Sequence, residues 1–217
     1  MTEAKDFIAR RAARELYDGA VVILGIGIPV RCAKFLPEDV DIRIMSDAGI
    51  VGEGPIPRPE DADPWHIVDS AGKPAAMIQG GCITDQSAHF GLIRGGHVDL
   101  AVLGCLECDE QGNMASWVIP DKRLIGIGGS MDICTGAKRV IITTTHTNHG
   151  ESKIRRRCSL PVTAPRCVDT IITEMGVMRV TPDGLVLGEI NPEFTPEQVQ
   201  EATDAQLIIS PRLKSML

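Results

Sequence analysis

The stretch A20-V-V-I-L-G-I-G-I-P29 decides the fold. Five apolar residues run without a polar interruption, and then two glycines and a proline turn the chain. A strand with one wet face would alternate apolar and polar residues. A continuous run is what a strand buried on both faces requires, and such strands belong to parallel sheets covered by helices. A Gly-rich turn directly after the run matches the carboxyl end of such a strand.

The surroundings repeat this pattern. Upstream, residues 3–17 have helical spacing, with Phe7, Ile8, Ala12 and Leu16 on one face and Asp18-Gly19 as the stop. Downstream, Val30–Phe35 reads as a helix ended near Pro37. Ile42–Met45 reads as a second strand that delivers the chain into Ser46-Asp47-Ala48-Gly49. Further strands are expected at Ala75–Ile78, Val98–Leu103, Lys138–Thr143, Val168–Thr173 and Val177–Val180, with extended chain at Ile154 and Cys158–Leu160. A helix is expected at Ala88–Ile93, closed by Arg94-Gly95-Gly96, and another at Pro196–Ala202 with Thr195 as its N-cap. Pro182-Asp183-Gly184 reads as a turn between strands. The expectation is an α/β protein, a largely parallel sheet flanked by helices, formed by one domain over residues 1–217.

Composition excludes some functions. The 217 residues are 43% hydrophobic and 24% charged, with a net charge of −7 and only 3% aromatics. Nonspecific nucleic-acid binding needs a basic face, and base stacking needs aromatics, so no nucleic-acid partner is expected. The one dense basic cluster, Lys153 to Arg157, reads as a solvated face or a phosphate contact. The N-terminus carries mixed charge and no apolar signal core, and no stretch has the length of a membrane span. Seven scattered cysteines do not suggest a disulfide framework, so the expected location is cytoplasmic. Cys105-x-x-Cys108 ends an apolar run and reads as buried strand thiols, with a redox or metal role as the alternative. His146-x-x-His149 has no third ligand at a metal spacing, and no metal is expected.

Three glycine segments stand out: Gly25-Ile-Gly27, Gly52-Glu-Gly54 and Gly126-Ile-Gly128-Gly129. Without a Cβ, a ligand approaches the backbone closely and successive N–H groups point at one oxygen. None of the three fits a Walker-type phosphate loop, and Gly25-Ile-Gly27 lacks the third glycine of a dinucleotide fingerprint. In α/β sheets ligands sit at the carboxyl ends of the strands. That places GIGIP, SDAGIVGEGP and GIGGSMD on one rim. Asp47 and Glu53 then read either as solvated loop charges or as carboxylates among backbone donors, and the three loops together point to an anion or thioester site.

Longer segments carry a resemblance: LGIGIP (24–29), GPIP (54–57), LIRGGHVDLAVLG (92–104), GNMASWVIPDK (112–122), GIGGSMD (126–132), CSLPVTA (158–164) and LIISPRLKSM (207–216). In this order the chain resembles the B (beta) subunit of the class I CoA-transferases of the 3-oxoacid type, over essentially its whole length. The resemblance implies a CoA-transferase-like fold and an acyl-CoA substrate with no permanently bound cofactor. It also implies a homologous A (alpha) subunit, with an A2B2 heterotetramer as the expected assembly. In that family the glutamate of an S-E-N-G motif attacks an acyl-CoA thioester to give an acyl anhydride. The released CoA thiolate then attacks the anhydride to form an enzyme–CoA thioester, and a second carboxylic acid takes the CoA. Glycine loops supply the oxyanion donors. Carried over, this implicates Gly25, Gly27, Gly49, Gly52, Gly54, Gly128, Gly129 and Ser130 in CoA or oxyanion binding. Gly129 matches the glycine that approaches the reacting carbonyl.

The sequence departs from the family at the central motif, which reads Ser46-Asp47-Ala48-Gly49. Aspartate draws the carboxylate back by about 1.5 Å, one carbon–carbon bond, and a misplacement of about 1 Å costs on the order of 10²-fold in rate. An apolar position between two glycines is Glu53, a glutamine position is Glu107, the A-N-W segment is Ala115-Ser116-Trp117, and a phenylalanine pair is Ile83-Thr84. Packed carboxylates raise one another's pKa, so Asp47, Glu53 and Glu107 are all candidate catalytic residues. Three readings stand: a transferase of short-chain 3-oxo or dicarboxylic acids with an aspartate nucleophile; a hydrolase, decarboxylase or C–C-cleaving enzyme using the acids for acid–base work; or a non-catalytic subunit that stabilises a partner.

Overall fold

The computed structural model describes residues 2–55, 57, 58, 60, 61, 67–70 and 72–217, so Ile56 of the GPIP stretch lies outside the described residues. Ten strands form one sheet: β1 Val21–Leu24, β2 Arg43–Ser46, β3 Ile50–Glu53, β4 Met77–Ile83, β5 Leu100–Leu103, β6 Val140–Thr143, β7 Thr170–Ile172, β8 Gly176–Thr181, β9 Gly184–Ile190 and β10 Leu207–Ser215. Their order is β10-β9-β8-β7-β6-β5-β1-β2-β3-β4. The central five, β7-β6-β5-β1-β2, are all parallel. Antiparallel pairs extend both sides, β2-β3-β4 at one and β7-β8-β9 at the other, before β10 returns parallel to β9.

The apolar runs divide between two faces, as period-2 geometry demands. Val22, Leu100, Val102, Ile141 and Ile172 face helix α1 (Thr2–Ala13), whose Ile8, Ala9 and Ala12 pack on them with Cys32 of the 3₁₀ turn Pro29–Phe35. Ile23, Ala101, Leu103, Val140, Ile142 and Ile171 face the other way, against Ile93 of α2 (Gln86–Arg94) and Ile133 and Cys134 of α3 (Ser130–Gly136). Fully burying each such side chain contributes about 1.5–3 kcal/mol. Helix α4, Pro196–Glu201, is capped by Thr195, whose hydroxyl accepts from the Gln198 N–H while Gln198 returns the bond. Among the described residues no helix is long and apolar enough to cross a membrane.

Four expectations need correction. Helix α1 ends at Ala13, and Arg14 to Leu16 continue as turns whose N–H groups reach Arg11, Ala12 and Ala13 carbonyls. The strand expected at Ala75–Ile78 is β4 and runs on to Ile83. SDAGIVGEGP is not a loop: its Asp47–Gly49 section is a tight turn, and Ile50–Glu53 pairs with β2 and β4 as β3. The turn at Pro182–Gly184 does join two strands, β8 and β9, but β10 and helix α3 were not foreseen.

Candidate active site

Three parallel strands end on one rim. Beyond Leu24 of β1 come Gly25 and Ile26, beyond Ser46 of β2 comes Asp47, and beyond Leu103 of β5 come Gly104, Cys105 and Leu106. With Ser70, Ser116 and the loop Ile125–Ser130 they line a cavity of about 550 Å³. The topology thus puts the cavity where ligands enter open α/β sheets.

Asp47 is presented by the turn Ser46–Gly49, closed by the Gly49 N–H donating to the Ser46 carbonyl at 3.0 Å. Gly49 has φ +97°, and a Cβ there would stand 2.7 Å from the Thr84 carbonyl oxygen. Only glycine fits both the dihedral and the space. Across the cavity the backbone of Gly129 comes against the carboxylate: a Cβ at this position would lie 3.2 Å from Asp47 Oδ2 and 2.9 Å from Phe90 Cζ. The N–H groups of Gly128 and Gly129 have no acceptor among the described residues, so they remain available to an oxyanion.

The predicted site residues separate into two groups. Gly25, Asp47, Gly128, Gly129 and Ser130 line the cavity together; Gly27, Gly49, Gly52, Gly54, Glu53 and Glu107 do not. Even Gly25 has its N–H committed, donating to the Val102 carbonyl at 2.8 Å. Gly49, Gly52 and Gly54 serve the hairpin: the Gly54 N–H bonds the Ala76 carbonyl at 2.8 Å, and a Cβ on Gly52 would stand 3.0 Å from the Ile78 side chain.

Glu53, at the end of β3, does not line the cavity. Burial, Asp69 and Asp47 push its pKa above the usual carboxylate range, and a hydrogen bond with Ser46 opposes them. The Ser46 hydroxyl is also 2.9 Å from the Ser70 hydroxyl, and Ser70 reaches the cavity wall. Glu107 is different. It lies on the short strand Glu107–Asp109 and accepts from the Ser159 and Leu160 N–H groups at 2.7 and 3.0 Å, the Ser159 hydroxyl at 2.7 Å and Arg155 Nε at 3.1 Å. Burial pushes its pKa up, but those donors outweigh it and hold the carboxylate below its usual range. The expected cluster of three acids is therefore a pair, because Glu107 is turned toward its own donors.

Several cavity residues were not in the predicted set: Ser70, Cys105, Ser116 and the isoleucines at 26, 125 and 127. Ser116 was flagged by the A-S-W departure, and its hydroxyl is held 3.2 Å from that of Thr163. Burial pushes the Cys105 thiol up to about 12, so it is a neutral wall. Cys108 is fully buried and its thiol is likewise pushed well up. His146 is buried with both ring nitrogens 2.9 Å from threonine hydroxyls, Thr173 and Thr203, whereas His149 is exposed. In the basic cluster Arg155 is bound to Glu107 and Lys153 to Thr144.

The family model for coenzyme A transferase matches residues 5–202. The beta subunit of an acetate CoA-transferase of Haemophilus influenzae is 42% identical over 98% of this chain and 95% of its own. The B subunit of a probable succinyl-CoA:3-ketoacid coenzyme A transferase of Bacillus subtilis is 39% identical over 97% of both chains. Among solved structures, the thioester complex with CoA of the acyl-CoA transferase YdiF from Escherichia coli O157:H7 superposes with TM-score 0.75 at 25% identity, covering 99% of this chain and 43% of that one. A variant of the decarboxylase AibA/AibB superposes with TM-score 0.76 at 17% identity, over 99% and 89% of the chains, and shows the shared fold alone. A cavity at three parallel strand ends, with a carboxylate set against a glycine loop, thus occurs in a chain aligned end to end with B-subunit sequences: it belongs to the coenzyme A transferase family and is a CoA-transferase of the B-subunit type.

Proposed function

We propose that this chain is the B subunit of an acyl-CoA:carboxylate CoA-transferase for short-chain 3-oxo or dicarboxylic acids, with Asp47 as the nucleophile. The observation that carries the reading is the carboxylate of Asp47 on the cavity wall against Gly129. An Asp47 oxygen attacks the thioester carbonyl of the donor and expels CoA as a thiolate, leaving an acyl–aspartyl anhydride. The thiolate attacks the aspartyl carbonyl, releases the donor acid and leaves a CoA thioester on Asp47. The acceptor carboxylate attacks that thioester, and the thiolate then attacks the acceptor's acyl carbon, restoring Asp47. Each tetrahedral oxyanion needs donors, and Gly128 and Gly129, which line the cavity with Asp47 and whose N–H groups have no acceptor among the described residues, are suited to supply them. Burial, Asp69 and Asp47 raise the pKa of Glu53, which disfavours a second negative charge near Asp47.

The anhydride must be kept from water. Ile26, Ile125 and Ile127 line the cavity yet are 67%, 47% and 38% exposed, an apolar rim suited to a covering partner chain. Relatives named as B or beta subunits support a homologous A subunit in that covering role, and we place the complex in the cytoplasm as an A2B2 heterotetramer. The alternative chemistries gain no support: the decarboxylase likeness is at 17% identity, while relatives near 40% are named as transferases. Incubating the assembled complex with candidate acyl-CoAs and trapping with borohydride or hydroxylamine tests the proposal. A CoA thioester on Asp47 is expected, and turnover to free CoA or carbon dioxide without an adduct contradicts it. Purified without its partner, this chain should be inactive.

A further inference from the structure

His89, on α2, is fully buried. Its Nδ1 lies 3.1 Å from Thr84 Oγ1. The Thr84 hydroxyl donates to the Gly49 carbonyl at 3.2 Å, and the Thr84 N–H donates to the same oxygen at 2.9 Å. A threonine hydroxyl has one hydrogen, so with that hydrogen on Gly49 its oxygen can only accept from the ring. In that arrangement Nδ1 carries the imidazole proton. Nε2 is buried with no hydrogen bond of full geometry among the described residues, and the Ser46 carbonyl lies close enough to the ring to favour its protonated form. The result is a directed chain, His89 to Thr84 to the carbonyl of Gly49, which is the last residue of the turn that presents Asp47.

The same end of α2 touches the opposite wall. Phe90 packs where Gly129 has no side chain, and Gln86 Nε2 reaches the Asp47 carbonyl at 3.4 Å. From this arrangement we infer that His89 is a positioning residue: through Thr84 it fixes the Ser46–Gly49 turn and so the reach of the Asp47 carboxylate toward the acyl thioester. The inference rests on the reading of Asp47 as nucleophile. A nucleophile one carbon shorter than glutamate has less side chain with which to correct a misplaced backbone, so the turn must be held more tightly. Burial lowers the pKa of His89, opposed by the charge of Asp47 and by the Ser46 carbonyl, and the net lowering favours the neutral ring that the chain uses.

The test uses the assembled complex and single-turnover formation of the enzyme–CoA thioester. The variants are Asp47→Asn, His89→Leu, His89→Asn, His89→Gln and Thr84→Val. Asparagine places a donor where Nδ1 stands, and glutamine places one where Nε2 stands. His89→Leu should slow thioester formation by on the order of 10–100-fold, with KM for acyl-CoA within about twofold of wild type. His89→Asn should restore most of the rate and His89→Gln should not. Thr84→Val should reproduce His89→Leu, and the double variant should be no worse than either, since both break one chain. Thr84→Val also keeps the test open if His89→Leu does not assemble. Wild-type rates in the Leu and Val variants, or rescue by glutamine rather than asparagine, would overturn the inference. With Asp47→Asn inactive, such a result removes only the positioning role; a thioester formed by Asp47→Asn removes the nucleophile reading and this inference with it.

Discussion

Glu53 and Glu107 are the same residue type, each an acid at a position where the family resemblance implies a neutral residue, and the structure gives them opposite environments. Glu53 ends β3 beside two other acids, with a hydroxyl partner, and its pKa is raised by burial, Asp69 and Asp47. Glu107 is surrounded by two backbone N–H groups, a hydroxyl and an arginine, and its pKa is lowered against the effect of burial. The difference lies in the donors. A buried carboxylate with enough of them is a structural anion, and one short of them is poised to take a proton. Residue type and sequence position carried neither fact.

The largest expected effect separates both glutamates from Asp47, the proposed nucleophile. Asp47→Asn should lower transfer by on the order of 10³-fold or more, while Asp47→Glu should preserve or raise it. Steady-state rates of the assembled complex with both variants check this, and an active Asp47→Asn variant would dissolve the distinction.

Next in size is the loss of Glu107. Glu107→Ala leaves Arg155 and two N–H groups without their acceptor, and should destabilise the fold by about 3 kcal/mol. Because its pKa is depressed, this stabilisation is present above the unfolded value and is lost as pH falls through the lower folded one. Denaturant titrations of wild type and variant should therefore converge at acid pH. Normal stability with lost activity in Glu107→Ala would return this residue to the catalytic set.

His146 provides a comparable case among the histidines. Its pKa is lowered to about 4 by burial, from an ordinary 6.5. The unfolded chain takes up the proton first, so stability should decline as pH falls from 6.5 toward 4, by about 3 kcal/mol in all. The variant His146→Gln should lose this dependence, measured by denaturant midpoints across that range.

Glu53→Gln should be the mildest for stability and the most informative about pH. A raised carboxylate pKa means that ionisation opposes folding, so wild type loses stability as pH rises through the folded value. Glutamine should match wild type at pH 4 and exceed it at pH 7 in thermal midpoint. A variant less stable at pH 7 would show that Glu53 is as well supplied with donors as Glu107.

The parallel centre of the sheet was legible in the sequence because burial on both faces forces continuous apolar runs, as in Leu100–Leu103 and Val140–Thr143, every residue of which is buried. The antiparallel margins were not. In β3 glycine interrupts the pattern at Gly52, and β10 carries Pro211 with mixed exposure, so neither shows a clean period. For the site, the rim and Asp47 followed from strand ends. The grouping of acids did not, because which way Glu107 turns depends on Ser159 and Leu160, about fifty residues away. His89 gave no signal either, since its role depends on Thr84 meeting Gly49 across the hairpin.

In the proposed cycle the Asp47 carboxylate becomes covalently bonded at every turnover. Attack by the acceptor acid on the Asp47 thioester leaves an acceptor oxygen bridging the anhydride, and it stays on Asp47 when the thiolate departs with the acyl group. The direct measurement is to turn over the assembled complex with acceptor acid labelled in its carboxylate with heavy oxygen, then to weigh the peptide containing Asp47. Labelled oxygen is expected at Asp47, dependent on acyl-CoA and absent from Glu53 and Glu107. Many turnovers with no label at Asp47 would contradict the proposed cycle.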